Sequence, residues 1–337
     1  MHVLSLFLLG LVFVSSVTDV CVGQQRVAFT NVQQAGEDYR IQGEYRGFVR
    51  FSGLLKSRAG LHVVAGGQGR FTATLLPGGL TGEGWVEPKK FDLAGANDQA
   101  GVTTLKGDLF TVHVQSGTAS VFNAEGQKCG RLQRVIRQSV TMGMAPPAQA
   151  TVLFAGKETD KLQGARLTSD GLLMEGVLTS DLVRDFRLHL EFRTPFMPNS
   201  TGQSRGNSGV YIQQRYEIQV LDSFGLAGLH NECGGVYRQQ APSMNMALPP
   251  LVWQTYDIYF RAARFSDKGE KTENARITVY HNGVAIHTNY ELSSKTGAGK
   301  PEGPESMPIL LQNHSDPVRF RNFWLVHLPL QSESDPR

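Results

Sequence analysis

Short runs that alternate apolar and polar residues, broken by Gly, Pro, Asn or Asp, most constrain what this chain can fold into. Examples are "RFTATLLPGG" (70–79), "FTVHVQSGTASVF" (110–122), "FRLHLEFRTPF" (186–196), "YEIQVLD" (216–222), "YDIYFRAARF" (256–265) and "ARITVYHNGVAIHTNY" (275–290). A strand sends successive side chains to opposite faces, so period-two runs make half-buried strands. Long helical periodicities are scarce. The 37 glycines supply turns, and His281-Asn282-Gly283 places Asn-Gly at the centre of a hairpin, where positive φ is needed. An all-β fold follows.

The chain has 337 residues, enough for about two domains of ordinary size. The small, uncharged, Pro-containing segment "MGMAPPAQA" (142–150) is the linker candidate. It divides an accessory β-rich domain at 27–141 from a second β domain at 151–330, with "QSESDPR" as a solvated tail.

The N-terminus carries an apolar run from Val3 to Val14, shorter than the roughly 20 residues that span a bilayer. Cys21 and Gly23 then stand at −3 and −1 of a cleavage site before Gln24. Residues 1–23 are expected to be a signal peptide, and the protein to be secreted or periplasmic. No later segment is expected to cross a membrane. The net charge of +3 is spread without basic runs, so nucleic acid binding has no support. Cys129 and Cys233 remain after cleavage. An oxidising compartment permits them to pair, but sequence does not show that they meet. His230 and Cys233 read as loop chemistry rather than metal ligands. The Gly-rich "AGGQGRFTATLLPGGLTGEGW" (65–85) matches no phosphate-loop pattern and reads as turns.

Chemistry concentrates in "YEIQVLD". Alternation puts Glu217, Gln219 and Leu221 on one face of the strand, with Asp222 pointing away. A β-bulge between Gln219 and Asp222 would turn Asp222 onto that face. The E-x-Q-x-x-D spacing is similar to the E-x-D-x-x-E signature of jelly-roll glucanases. Glycosidic chemistry generally uses carboxylates about 5–10 Å apart. Gln219 replaces the central acid, which disfavours an ordinary retaining glycosidase.

Flanking blocks extend the pattern: "RGNSGVYIQQRYEIQVLDSFG", "NECGGVYRQQAP", "LPPLVWQTYDIYFRAARF", "ITVYHNGVAIH" and "LLQNHSDPVRFRNFWLVHL", in that order. Together they resemble the 3-keto-disaccharide hydrolase family over roughly residues 150–328. The resemblance implies a concanavalin-like (glucanase-type) jelly-roll β-sandwich of a secreted bacterial protein, acting on a carbohydrate substrate. It implies that Asn207 and Ser208 line the cleft, with Gly209 allowing close approach of the backbone. Glu217, Gln219 and Asp222 would match the acidic strand, and Gln312, His314 and Arg321 a second polar strand. Asn313 stands where the family usually has Asp, and Ser315 where it has Gly, which puts in doubt any role needing a carboxylate at 313.

In a 3-keto sugar the carbonyl acidifies the C2 proton. A base can remove it, the C1 substituent leaves by β-elimination, and water can add back. His314 or Glu217 is the candidate base and Asp222 or Glu217 the candidate acid. Gln219, Gln312 and Arg321 would orient the sugar and meet developing oxyanion charge, although Arg321 serves equally well as an ion-pair partner of Asp222. Tyr237 is the aromatic candidate for the cleft; Tyr211 is also available, Trp253 reads as core, and His281 and His287 as surface. No cofactor is evident. A structural divalent cation such as calcium stays open, with no ligand loop legible. The alternative reading is a non-catalytic, lectin-like carbohydrate-binding module. Linkage, hydrolase or lyase outcome and oligomeric state are not legible.

Overall fold

The computed structural model describes residues 26–98 and 100–329. The expected signal peptide lies outside the described residues. After a short helix, α1 (Gly36–Ile41), eight antiparallel strands follow. They are β1 (Gly43–Val49), β2 (Ser57–Ala65), β3 (Arg70–Pro77), β4 (Phe91–Asn97), β5 (Thr103–Lys106), β6 (Phe110–Gln115), β7 (Thr118–Asn123) and β8 (Lys128–Val135). Each pairs with the next, and β8 returns to β1, so the sheet closes into a barrel. The alternation explains the interior: Leu61 and Val63 of β2, Val112 and Val114 of β6 and Leu132 of β8 point inward and are buried. Gly95 is needed where β4 runs tight against β5, because a Cβ there would collide with the Thr104 carbonyl.

The second half is a two-layer sandwich. Its strands are β9 (Thr151–Phe154), β10 (Leu162–Gln163), β11 (Leu173–Met174), β12 (Val177–Thr179), β13 (Phe186–Arg193), β14 (Ser208–Ile212) and β15 (Tyr216–Val220). Then come β16 (Gln254–Arg261), β17 (Arg264–Phe265), β18 (Lys271–Glu273), β19 (Ala275–His281), β20 (Val284–Leu292), β21 (Leu310–Leu311) and β22 (Arg319–His327). One sheet runs β10-β12-β21-β14-β15, the other β11-β22-β13-β16-β19-β20 with β9 added beside β22; β17 and β18 form a separate ribbon. Leu188, Leu190 and Phe192 of β13 face Val210 and Ile212 of β14 and Ile218 and Val220 of β15 across the core. Alternation then sends Tyr211, Glu217 and Gln219 to the outer face of the smaller sheet, and His189, Glu191 and Arg193 to the outer face of the larger one.

Barrel and sandwich are joined by polar contacts. Arg205 donates from Nη1 to the Ala65 carbonyl at 3.2 Å and from Nη2 to Gln42 Oε1 at 3.4 Å. The Ser139 and Thr255 hydroxyls meet at 2.6 Å, and the Gly143 amide donates to Glu191 Oε1 at 2.6 Å. Residues 142–144, at the start of the expected linker, therefore dock on the larger sheet, where the Met144 carbonyl accepts from Trp324 Nε1 and Asn322 Nδ2.

Several expectations change. The β14–β15 register runs unbroken from Ser208↔Val220 to Ile212↔Tyr216, and β15 ends at Val220, so the paired segment contains no bulge. His281 and His287 are buried, not superficial. Their strands face the core and loop 234, and His287 Nε2 donates to the Gly234 carbonyl at 2.7 Å. Burial pushes His281 down to about 3. Trp253 is only half-buried, lying under the guanidinium groups of Arg321 (4.1 Å from the ring centroid) and Arg193 (5.0 Å). Cys129 in the barrel and Cys233 in the sandwich are free and buried. No helix among the described residues is long and apolar enough to cross a membrane.

Glu44 of β1 is buried and held by Arg137, which donates Nε to Oε2 at 2.8 Å and Nη2 to Oε1 at 2.5 Å; Nη1 also reaches the Thr81 carbonyl at 2.7 Å. Removing one partner of a buried pair leaves the other charge uncompensated. Arg137→Met is expected to cost roughly 3–5 kcal/mol, measured by denaturant unfolding at pH 7. An unchanged midpoint would show that the pair carries no net stability.

Candidate active site

The β14–β15 hairpin turns through Gln213 and Gln214, both at positive φ. Its register sets Tyr211 opposite Glu217 and Gly209 opposite Gln219. Glu217 lies over the bare backbone of Gly209; a Cβ there would strike the carboxyl. Tyr211 OH donates to Glu217 Oε2 at 2.7 Å. The backbone is fixed too: the Glu217 amide donates to Thr296 Oγ1 at 2.7 Å, and the Tyr237 amide donates to the Glu217 carbonyl at 3.1 Å. Segments 234–237 and 294–299 thus cover an outer strand face, and Glu217 is 2% exposed. Burial, with no cationic partner among the described residues, pushes its carboxyl up to about 7, with the Tyr211 hydrogen bond pulling the other way. The Tyr211 phenol is raised by burial and by the neighbouring Glu217 charge.

Gln219 completes the arrangement. One terminal position of its amide lies 3.0 Å from Glu217 Oε1 and from the Ser208 carbonyl; the other lies 3.0 Å from Gln203 Oε1 and 3.3 Å from Asn207 Oδ1. With nitrogen toward Glu217, the amide donates to the carboxylate. With oxygen toward Glu217, it accepts from the carboxylic acid. An amide can serve both protonation states, whereas a carboxylate at 219 would set two like charges side by side.

Other expected residues divide into two groups. Asn207, Gln312 and Tyr237 gather around the hairpin. The Asn207 side-chain amide donates to the Gln203 carbonyl at 2.8 Å, and the Gln312 backbone amide donates to the Gly209 carbonyl at 2.9 Å. Gln312 Oε1 is buried with no hydrogen-bond partner among the described residues, an acceptor left available. The half-buried Tyr237 ring packs against Gly297. His314 sits exposed at the rim, between Gln312 and Asp316, whose Oδ2 accepts from the Asn207 backbone amide at 2.8 Å.

Asp222 and Arg321 are not brought into this group. Asp222 Oδ2 accepts from Arg205 Nε at 2.7 Å, and Oδ1 faces the Phe224 amide at 3.4 Å. Without a bulge, nothing turns it toward Glu217. Arg321 lies on β22, across the sandwich, and donates from Nε to Glu191 Oε2 at 2.6 Å. Its ion-pair partner is therefore Glu191, and that of Asp222 is Arg205. Sequence reasoning missed Tyr211 as the partner of Glu217, along with Gln203 and Thr296. Counting the hairpin register outward from a three-residue turn, Gln213 to Arg215, would have found Tyr211; Gln203 and Thr296 arrive from distant loops without a local signal. Among the described residues, no group of three or more His, Cys, Asp or Glu side chains is placed to hold a metal ion.

Residues 149–326, more than half of the chain, match the family described as "3-keto-alpha-glucoside-1,2-lyase-like domain". The chain belongs to that family. Its function class is accordingly carbohydrate-active, with a glycoside-acting domain that contains the whole Glu217 cluster. Three crystal structures from Parabacteroides distasonis, each described as a "putative glycosyl hydrolase", are similar to about half of the chain. The first is 30% identical, covers 54% of this chain and 85% of its own, and has a TM-score of 0.48. The others are 16% and 22% identical, cover 53% of this chain and 94% and 99% of their own, and have TM-scores of 0.41 and 0.38. None of the curated proteins matches.

The raised Glu217 carboxyl has a signed consequence for stability. Between the ordinary 4.5 and about 7, folded Glu217 keeps a proton that the unfolded chain releases. Stability is therefore lost as pH rises through that window, by roughly 3 kcal/mol once the pH is above it. Glu217→Gln keeps the shape and removes the titration. Its unfolding midpoint is expected to match wild type near pH 4 and to exceed it at pH 8. A gap that does not change with pH would contradict the raised pKa.

Proposed function

We propose that the protein cleaves 3-keto glycosides, with Glu217 as the central proton carrier. The observation that carries this reading is a carboxyl buried beside Tyr211 and Gln219, with a pKa lifted to about 7. A group of that pKa can both take and return a proton at neutral pH. Ionised Glu217 removes the C2 proton of the keto sugar, and the C2–H electron pair moves toward the C3 carbonyl. The enolate then collapses, forming C1=C2 as the C1–O bond breaks. The acid form of Glu217 returns the proton to the departing oxygen. Water adding across C1=C2 gives net hydrolysis; without it the product is the unsaturated ketone of a lyase.

One carboxyl suffices for both transfers, which agrees with the engagement of Asp222 by Arg205. Gln219 turns its amide as Glu217 changes charge. Gln312 and Asn207 orient the sugar hydroxyls, and Tyr237 lines the cleft. His314, exposed at the rim, is a second proton carrier on the solvent side.

The test is incubation with a 3-keto disaccharide and with its unoxidised parent, following aglycone release. The keto sugar alone should be cleaved. Glu217→Gln should lower kcat by about 10²–10⁴-fold, and wild-type kcat/KM should rise with pH with a midpoint near 7, because the free enzyme must be ionised to act as base. Turnover of the parent alone would reject the keto mechanism. Binding of both sugars without turnover would establish the lectin-like alternative.

A further inference from the structure

A cleft of about 910 Å³ runs between the outer wall of the barrel and two loops of the sandwich, 225–228 and 242–247. None of the residues around Glu217 lines it. Its size lies within the roughly 300–1,000 Å³ of small-molecule sites. The barrel side is polar and regular. Cross-strand register sets Thr74 opposite Asp92, and Thr72 opposite Ala94, which in turn faces Lys106. The interior is packed by the alternate residues, so Thr72, Asp92, Ala94 and Lys106 project outward and are exposed. Thr74 Oγ1 donates to Asp92 Oδ1 at 3.2 Å, and Lys90 Nζ lies 3.9 Å from Asp92 Oδ2. The sandwich side is more apolar: Leu226, Ala227, Pro242, Met244 and Ala247 line it, with Ser243 and Asn245 between them. Trp85 also lines the cleft, from the β3–β4 loop, with its indole Nε1 donating to the Lys89 carbonyl at 2.7 Å and so anchored in that loop.

A ligand for such a cleft needs a polar edge that both donates and accepts, and an apolar face. A pyranose ring has both, with hydroxyls around its rim and C–H groups on its faces. The charges of the lining nearly cancel, with Lys90 and Lys106 against Glu87, Asp92 and Asp108. Neither an anion nor a cation is selected. We propose that this cleft is a second saccharide site, separate from the Glu217 cluster, that binds a neutral oligosaccharide between barrel and sandwich. Thr72, Asp92 and Lys106 hydrogen-bond its hydroxyls, and Trp85, Leu226 and Met244 cover its C–H faces.

The test uses the full chain and the unoxidised trisaccharides maltotriose, cellotriose and laminaritriose, titrated calorimetrically. At least one should bind, and Glu217→Gln should leave that affinity unchanged. Ala94→Arg fills the cleft from an exposed strand position without removing a native contact. It should weaken binding by about tenfold or more, with an unchanged thermal midpoint and unchanged cleavage of a 3-keto disaccharide. Trp85→Ala should weaken binding likewise, with the thermal midpoint as the control for folding. The proposal is overturned if no trisaccharide binds at about 10 mM. It is overturned equally if binding survives Ala94→Arg, if Glu217→Gln abolishes it, or if a polyanion such as heparin displaces it through the same residues.

Discussion

The Arg205 guanidinium is the point on which the arrangement turns. It binds Asp222 at the end of the candidate strand and, from its other nitrogens, the Ala65 carbonyl and Gln42 of the barrel. Gln42 Oε1 also accepts from the Ala65 amide, so the contact is cross-braced. All four residues are buried. A buried guanidinium is tolerable only when its donors are met, and here they are met from both halves of the molecule. The same group therefore fixes the end of β15, where the candidate site sits, and the distance between barrel and sandwich, which sets the width of the second cleft. Asp222 is thereby committed to architecture.

With Asp222 committed, the proposed chemistry rests on one carboxyl and its surroundings. Among the described residues Glu217 has no cation beside it; a phenol, an amide and a glycine are its neighbours. Those neighbours satisfy hydrogen bonds without holding the group ionised, so burial dominates and the carboxyl titrates near neutrality. Two-carboxylate sites reach the same end by repulsion between like charges. Here desolvation alone does it, and the amide at 219 is the neutral partner that lets it.

Much of this was legible in the sequence because side-chain period in a strand is a local property. Alternation in "YEIQVLD" correctly put Glu217 and Gln219 on one face and left Asp222 off it; the bulge invoked to recover Asp222 is absent from the paired strand. The all-β class followed from the same periodicity, and the family from ordered blocks spread over the second half. What failed was long-range. Arg321 shares a sequence block with Gln312, yet two sheets of a sandwich separate them, and no local pattern reports which sheet a strand joins. His281 and His287 flank an Asn-Gly turn, which normally means surface, but the 242–254 segment and loop 234 fold over that turn. Closure of the first eight strands was equally hidden, since it depends on β8 finding β1 across the whole domain.

β15 is the last strand of its sheet, and an unpaired outer strand exposes a row of amides and carbonyls to any other extended chain. Here that row is occupied by an irregular segment: the Gln219 amide donates to the Gly235 carbonyl, and the Gly234 and Tyr237 amides donate to the Gln219 and Glu217 carbonyls. Three ordinary backbone bonds thus do two things at once. They hold the Glu217 main chain in place, and they deny strangers a template for sheet extension. A change that loosened the 234–237 cover would bare that edge and unseat the Glu217 main chain together, so resistance to aggregation and the shape of the candidate site are guarded at the same few atoms.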